Sequence, residues 1–167
     1  MVVISDIIMP IVRDARTKDE RDTLREQIGE LEVALFRSSP DAFDKVLSTR
    51  LPERLASVMR DICAGSEFKN NPGALKIFLR DVQHTLDSFL LLKLTLALKP
   101  SEEMITRLYG WTRQNLGMGV VLDIEYDASI LGGARIIFNG KYKEMTLAHL
   151  ITETMAKERV VVMEMLK

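Results

Sequence analysis

Asn139-Gly140 lies between two short runs of alternating, strand-forming residues, 134–138 and 141–146. A type I′ turn needs positive φ at both central residues, and Asn-Gly supplies it, so the pair predicts a two-residue hairpin. Upstream stand Asp127-Ala128-Ser129-Ile130-Leu131 and then Gly132-Gly133. The glycine pair marks a place where backbone bends hard or approaches other backbone closely. It runs into a strand and not into Gly-Lys-Ser/Thr and a helix, so it is no phosphate loop. Lys141 follows a hairpin turn and is not a phosphate-binding lysine. Residues 127–142 therefore predict a small rigid scaffold with no reaction centre.

The first half of the chain has helical periodicity. Thr17-Lys18-Asp19-Glu20 fits a capping box. Behind it, Leu24, Ile28, Leu31 and Leu35 form one apolar stripe on a helix over 18–37, with charged residues on its other faces. Ser39-Pro40 predicts a second start, serine as cap and proline in the first turn. After Leu51-Pro52, Leu55, Val58, Met59 and Ile62 form another stripe, for which Gly65 is the expected left-handed stop. Residues 66–73 carry turn chemistry throughout and predict a linker. A fourth helix is expected over 74–90, with Leu75, Phe78, Leu79, Val82, Leu86 and Phe89 on one side.

After Leu90 the period changes. Residues 92–97 alternate and stop at Lys99-Pro100, which predicts a strand. Ser101-Glu102-Glu103 caps a helix with acidic residues in its first turn, and Gly117 ends it. Residues 120–126 alternate as a half-buried strand. The hairpin follows, and a last helix runs over 147–166. The expected class is α+β: an N-terminal helical bundle (1–73), a connecting helix (74–90), and a small C-terminal sheet-and-helix domain (91–167). The order in that domain is strand-helix-strand-strand-strand-helix.

Composition narrows the function classes. The formal net charge is −1, so charge gives no support to nucleic-acid binding. One cysteine, Cys63, forms no disulfide within the chain and suits a reducing compartment. The apolar opening carries Asp6 and Pro10 and lacks a basic leader, so no signal peptide is expected. No run approaches the ~20 apolar residues of a membrane helix, so no direct membrane insertion is expected. His84 and His149 belong to no metal-ligand spacing, and no cofactor or metal is expected. Cys63, beside Ile62 on a predicted helix, reads as a buried inert thiol. Asp123, Glu125 and Asp127 read as the solvated face of a strand; a carboxylate site there is the enzymatic alternative. Trp111 reads as a core-edge residue, with a binding anchor as the sharper alternative. Val160-Val161-Val162-Met163 makes the last helix apolar on more sides than one buried face requires. A partner helix explains that as well as full enclosure does.

Leu94-Thr95-Leu96-Ala97, Pro100-Ser101-Glu102-Glu103, Val121-Leu122-Asp123-Ile124 and Asp127-Ala128-Ser129-Ile130-Leu131-Gly132-Gly133-Ala134 together resemble the C-terminal half of the delta subunit of F-type ATP synthases. That family includes the mitochondrial oligomycin-sensitivity-conferring protein. The likeness runs from residue 92 to about 155, about two fifths of the chain. Ala128 stands where the family usually has proline. Glu144, ahead of Thr146, stands where it usually has Asp. The front half is short for the family's six-helix domain and lacks its Ala-rich opening.

The resemblance implies a connector and not an enzyme. It implies a bacterial stator subunit, peripheral on the cytoplasmic face of the plasma membrane. The helical half would grip the N-terminal helices of alpha subunits, and the C-terminal half would hold the C-terminal helices of the b subunits. On that expectation the stripe Leu24, Ile28, Leu31, Leu35 leaves a groove for alpha, while Trp111 and Val161 face b. Asp127, Gly132, Gly133, Asn139 and Gly140 form the structural hairpin motif. The competing readings are a stalk subunit of a vacuolar, archaeal or secretion ATPase, a small enzyme at Asp123 and Glu125, and a generic helical adaptor.

Overall fold

The computed structural model describes residues 4–37, 41–69 and 71–165, and side chains over 7–156 within those spans. Contacts divide the chain into two compact units, Met1–Leu90 and Leu91–Lys167. The class is α+β, as expected, with helices first and a sheet second.

In the first unit α1 (Ile4–Val12) buries Ile8, Ile11 and Val12. Of the apolar opening, Ile8 is thus core, although Pro10 beside it hides the helical pattern. In α2 (Lys18–Ala34) the capping box is formed: Glu20 N–H donates to Thr17 Oγ1 at 3.3 Å, and Thr17 N–H to Glu20 Oε2 at 3.2 Å. The expected start at Ser39-Pro40 falls outside the described residues; α3 runs Ala42–Arg50. α4 (Glu53–Ala64) ends at Gly65 with φ −61°, so Gly65 is extended and not the left-handed stop its identity suggested.

α5 (Pro72–Asp87) differs from expectation at its start. Asn71 caps it by accepting from Ala74 N–H at 3.0 Å, and Pro72 occupies the first turn, where a missing N–H costs nothing. The last residues of the expected linker therefore begin a helix. Nor is α5 a free connector. Phe78, Leu79, Val82 and Leu86 are buried in the first unit, where α5 packs against α2 and α1.

The second unit follows the predicted order: β1 (Leu90–Leu96), α6 (Glu102–Leu116), β2 (Val120–Tyr126), β3 (Gly133–Phe138), β4 (Lys141–Thr146) and α7 (Leu147–Met165). The sheet order is β2-β1-β3-β4. β3 runs antiparallel to β1, with Leu94 opposite Ile136, and antiparallel to β4, with Ile136 opposite Lys143. Asp127 N–H, just past β2, donates to the Leu96 carbonyl at the end of β1. The two ends thus lie together, as a helical crossover between parallel strands requires. Leu92, Leu94, Leu96, Val120 and Leu122 face Tyr109 of α6 in the core. Ser101 caps α6 by accepting from Met104 N–H at 3.2 Å. Thr112, 0% exposed, satisfies its hydroxyl on the Leu108 carbonyl at 2.9 Å.

Candidate functional site

The loop from β2 to β3 is built by local chemistry. Asp127 Oδ1 accepts from Ser129 N–H at 2.9 Å and from Ser129 Oγ at 2.6 Å, closing an Asx turn. These bonds, with the charge of Arg135 as a lesser cause, hold the Asp127 carboxyl below its ordinary value. The turn buries Ile130 and leaves Leu131 exposed. Asp127 thus lies beyond the strand, committed to a turn, and not on the solvated strand face with Asp123 and Glu125.

Gly132 and Gly133 then take φ of +69° and +89°. The Gly133 carbonyl accepts from Ala97 N–H, and the Gly132 carbonyl from Leu147 N–H, each at 3.2 Å. The pair therefore ties the end of β1 to the start of α7. A Cβ on Gly133 would sit inside the van der Waals radius of the Met145 carbonyl oxygen and 3.0 Å from Thr146 Cα. Both reasons for glycine, bend and close approach, hold at this one residue. Asn139 and Gly140 have φ of +49° and +73° in the two-residue loop between Phe138 and Lys141, as the hairpin pattern predicts.

On the hairpin, Glu144 collects donors. Thr146 Oγ1 and Tyr142 OH each donate to it at 2.8 Å, and Arg135 lies 3.5 Å away, bridging to Asp127 at 3.5 Å. The hydroxyl of Thr146, then that of Tyr142, stabilise the carboxylate and lower the Glu144 pKa. The same bond raises the Tyr142 pKa. Thr146 Oγ1 also accepts from His149 N–H at 3.2 Å, so the network sets the first turn of α7.

Around this hairpin the surface is apolar. β4 and the first turns of α7 line a groove of about 830 Å³ that includes Tyr142, Met145, Leu147 and Leu150. Leu147, Leu150, Ile151 and Met155 recur at helical spacing and all are exposed. Such a row on an uncovered helix suits a partner. Val161 lies in α7 with its side chain outside the described residues. Trp111 is 55% exposed, which overturns the core-edge reading. It lines a different groove, of about 620 Å³, with Met104, Arg107 and Leu108 on the outer side of α6.

The stripe on α2 is mostly core. Leu24, Ile28 and Leu31 are 5%, 0% and 0% exposed, and Leu35 is half-buried at the C-cap. Ile28 and Leu31 are covered by α5 and the neighbouring helices, and of the four only Leu24 touches a groove among the described residues, one of about 470 Å³ shared with Ala15, Gln27, Pro52 and Leu55. Among the described residues of α1 to α5 and their connections, the exposed large apolar side chains are Val33, Phe36 and Ile77. Sequence reasoning missed these because they fall off the main stripe, each one residue away from buried or half-buried positions. Between α2 and α3 lies a groove of about 640 Å³, lined by Gly29, Glu30, Val33 and Arg37 on one wall and by Ala42, Lys45, Val46, Thr49 and Arg50 on the other.

Among the described residues no group of three or more His, Cys, Asp or Glu is placed to hold a metal. The groove that holds His149 contains Glu144 and Glu153, not Asp123 or Glu125. Burial, with the charge of Asp44 adding to it, pushes the Cys63 thiol up to about 11. No helix among the described residues is long and apolar enough to cross a membrane.

No family model matches the chain, and no curated protein matches it. Among solved structures it is similar to a chain of the Toxoplasma gondii mitochondrial ATP synthase hexamer, determined by cryo-EM. The identity is 11%, over 94% of this chain and 97% of that one, with a TM-score of 0.35. A likeness this distant carries no argument about what the chain does.

Proposed function

We propose that this chain is a delta-type, non-catalytic peripheral-stalk subunit of a bacterial F-type ATP synthase. It links the alpha/beta head to the b subunits so that the head resists rotor torque during proton-driven synthesis. The observation that carries this reading is the ordered motif set from Leu94 to Thr146, a strand, a capped helix, a second strand, Asp-x-Ser-Ile-Leu-Gly-Gly and a hairpin.

The surface chemistry supports it in kind. A static connector needs apolar rows that accept amphipathic helices, the helix-in-groove mode. The row Leu147, Leu150, Ile151, Met155 beside Met145 has that character and would take the C-terminal helices of b. The alpha N-terminal helices would meet the first unit on a surface other than the buried stripe. The protein would then sit peripherally at the cytoplasmic face of the plasma membrane, held there by its partners.

Co-expression with the b-subunit tail and with the alpha N-terminal segment from the same source tests the reading. Both should co-purify with the folded chain, and Leu150→Lys with Met155→Lys should release b alone. A folded chain that retains neither segment refutes it.

A further inference from the structure

The methionines of this chain differ sharply in their surroundings. Of the nine, Met59 is 0% exposed in α4, and Met9 and Met104 are half-buried in α1 and α6. Among the described residues three are exposed: Met118 at 48%, Met145 at 48% and Met155 at 68%. Two of these three belong to one surface. Met145 lines the groove of β4 and α7, and Met155 continues the row Leu147, Leu150, Ile151 by one more turn, four residues beyond Ile151. Met118 lies elsewhere, in the turn between α6 and β2, where Arg113 Nη2 donates to its Sδ at 2.9 Å.

A thioether standing in water is open to peroxides. A sulfur lone pair attacks one peroxide oxygen, an S–O bond forms and the O–O bond breaks. The proton on the transferred oxygen passes to the departing hydroxide, which leaves as water. The sulfur is oxidised by two electrons and the peroxide is reduced by two. The flexible apolar side chain becomes polar and chiral. Within an apolar contact its new oxygen gives up water and finds no donor in exchange.

We propose that Met145 and Met155 are oxidation sites for hydrogen peroxide, and that their sulfoxides close the surface of β4 and α7 to its partner helix. The inference rests on the stalk reading for the identity of that partner, the b-subunit tail. It concerns the free chain. Once the tail covers the row, both side chains leave solvent and are shielded. Peroxide thus acts on assembly and spares the assembled stalk.

Peroxide treatment of the full-length chain tests it. Peptide mass spectrometry reads the gain of one oxygen at each methionine, and fluorescence anisotropy reads affinity for the b-subunit tail. Met145 and Met155 should gain oxygen well before Met59, and affinity should fall about ten-fold. The two stereospecific methionine sulfoxide reductases, with a thiol reductant, should restore it. Met145→Leu with Met155→Leu conserves volume and should bind equally before and after peroxide, although Met118 is still there to be oxidised. Bound tail should slow oxygen gain at Met145 and Met155 in the unsubstituted chain.

Equal affinity of the reduced and oxidised chains would overturn this proposal and leave the stalk reading standing. So would loss of binding on oxidation of the leucine variant, or unslowed oxidation of both residues under bound tail. A loss accompanied by a lower urea midpoint of Trp111 fluorescence would mark unfolding and also end it. A reduced chain that fails to bind the tail refutes the stalk reading itself, and this inference with it.

Discussion

Gly133→Ala isolates the close approach that holds the sheet unit together. At φ +89° an L side chain costs about 1–2 kcal/mol, because Cβ crowds the following carbonyl. The new methyl must also displace the β4 backbone at Met145 and Thr146, which adds about 1–3 kcal/mol of overpacking strain. The expected loss is about 2–5 kcal/mol. Gly140→Ala is the control. Its φ is +73°, yet a Cβ there meets nothing within 4 Å, so only the conformational cost of about 1–2 kcal/mol applies. Trp111, the only tryptophan, lies in the same unit and gives a fluorescence signal for urea unfolding of the full-length chain. Gly133→Ala should lower the Trp111 midpoint well below that of Gly140→Ala, while helical signal from the first unit persists. Equal losses in the two variants would refute the close approach as the reason for glycine.

Three further outcomes follow from the same physics. Ile28→Ala should destabilise the helical unit by about 2–5 kcal/mol in thermal unfolding, since it empties a core site; loss of binding at unchanged stability would instead make the α2 stripe a docking face. The Asp127 and Glu144 carboxyls have folded pKa values below their ordinary ones, so their stabilisation is complete above the ordinary carboxylate range and is lost as pH falls through the lowered values. Acid titration should therefore weaken the Trp111 transition, and Glu144→Gln should flatten that dependence; a steeper dependence in the variant would contradict the sign. Cys63, pushed up to about 11 from 9.0, should carry about 100-fold less thiolate than an unperturbed cysteine at neutral pH and alkylate correspondingly slowly with iodoacetamide.

Features fixed by neighbouring residues were legible in the sequence. The Thr17–Glu20 box, the Ser101 cap and the Asn139-Gly140 turn depend on local hydrogen bonding and φ, and each appears where its residues predict. The glycine pair was legible as a tight place, although its partners, Ala97 and Leu147, lie far away in sequence. Other features depend on what packs against them. α1 was obscured because Pro10 interrupts a short apolar run whose burial comes from α4 and α5. Asn71-Pro72 looks like a turn until a helix follows, when the same chemistry becomes a cap and a first turn.

The binding surfaces were harder for a related reason. Periodicity reveals an apolar face but not what covers it. Leu24, Ile28 and Leu31 fall on one helical face, as Leu147, Leu150 and Ile151 do, yet the first set is core and the second is exposed. Trp111 shows the same ambiguity from a single residue: it stands one position from the fully buried Thr112, on the open side of α6.

The central proposal is that the chain bridges the alpha/beta head and the b subunits. Mass photometry of the alpha/beta head mixed with a soluble b-subunit dimer, with and without this chain, measures it directly. The account predicts a head–b assembly only when the chain is present, and its loss with Leu150→Lys and Met155→Lys. Assembly of head and b without the chain, or none with it, would contradict the account.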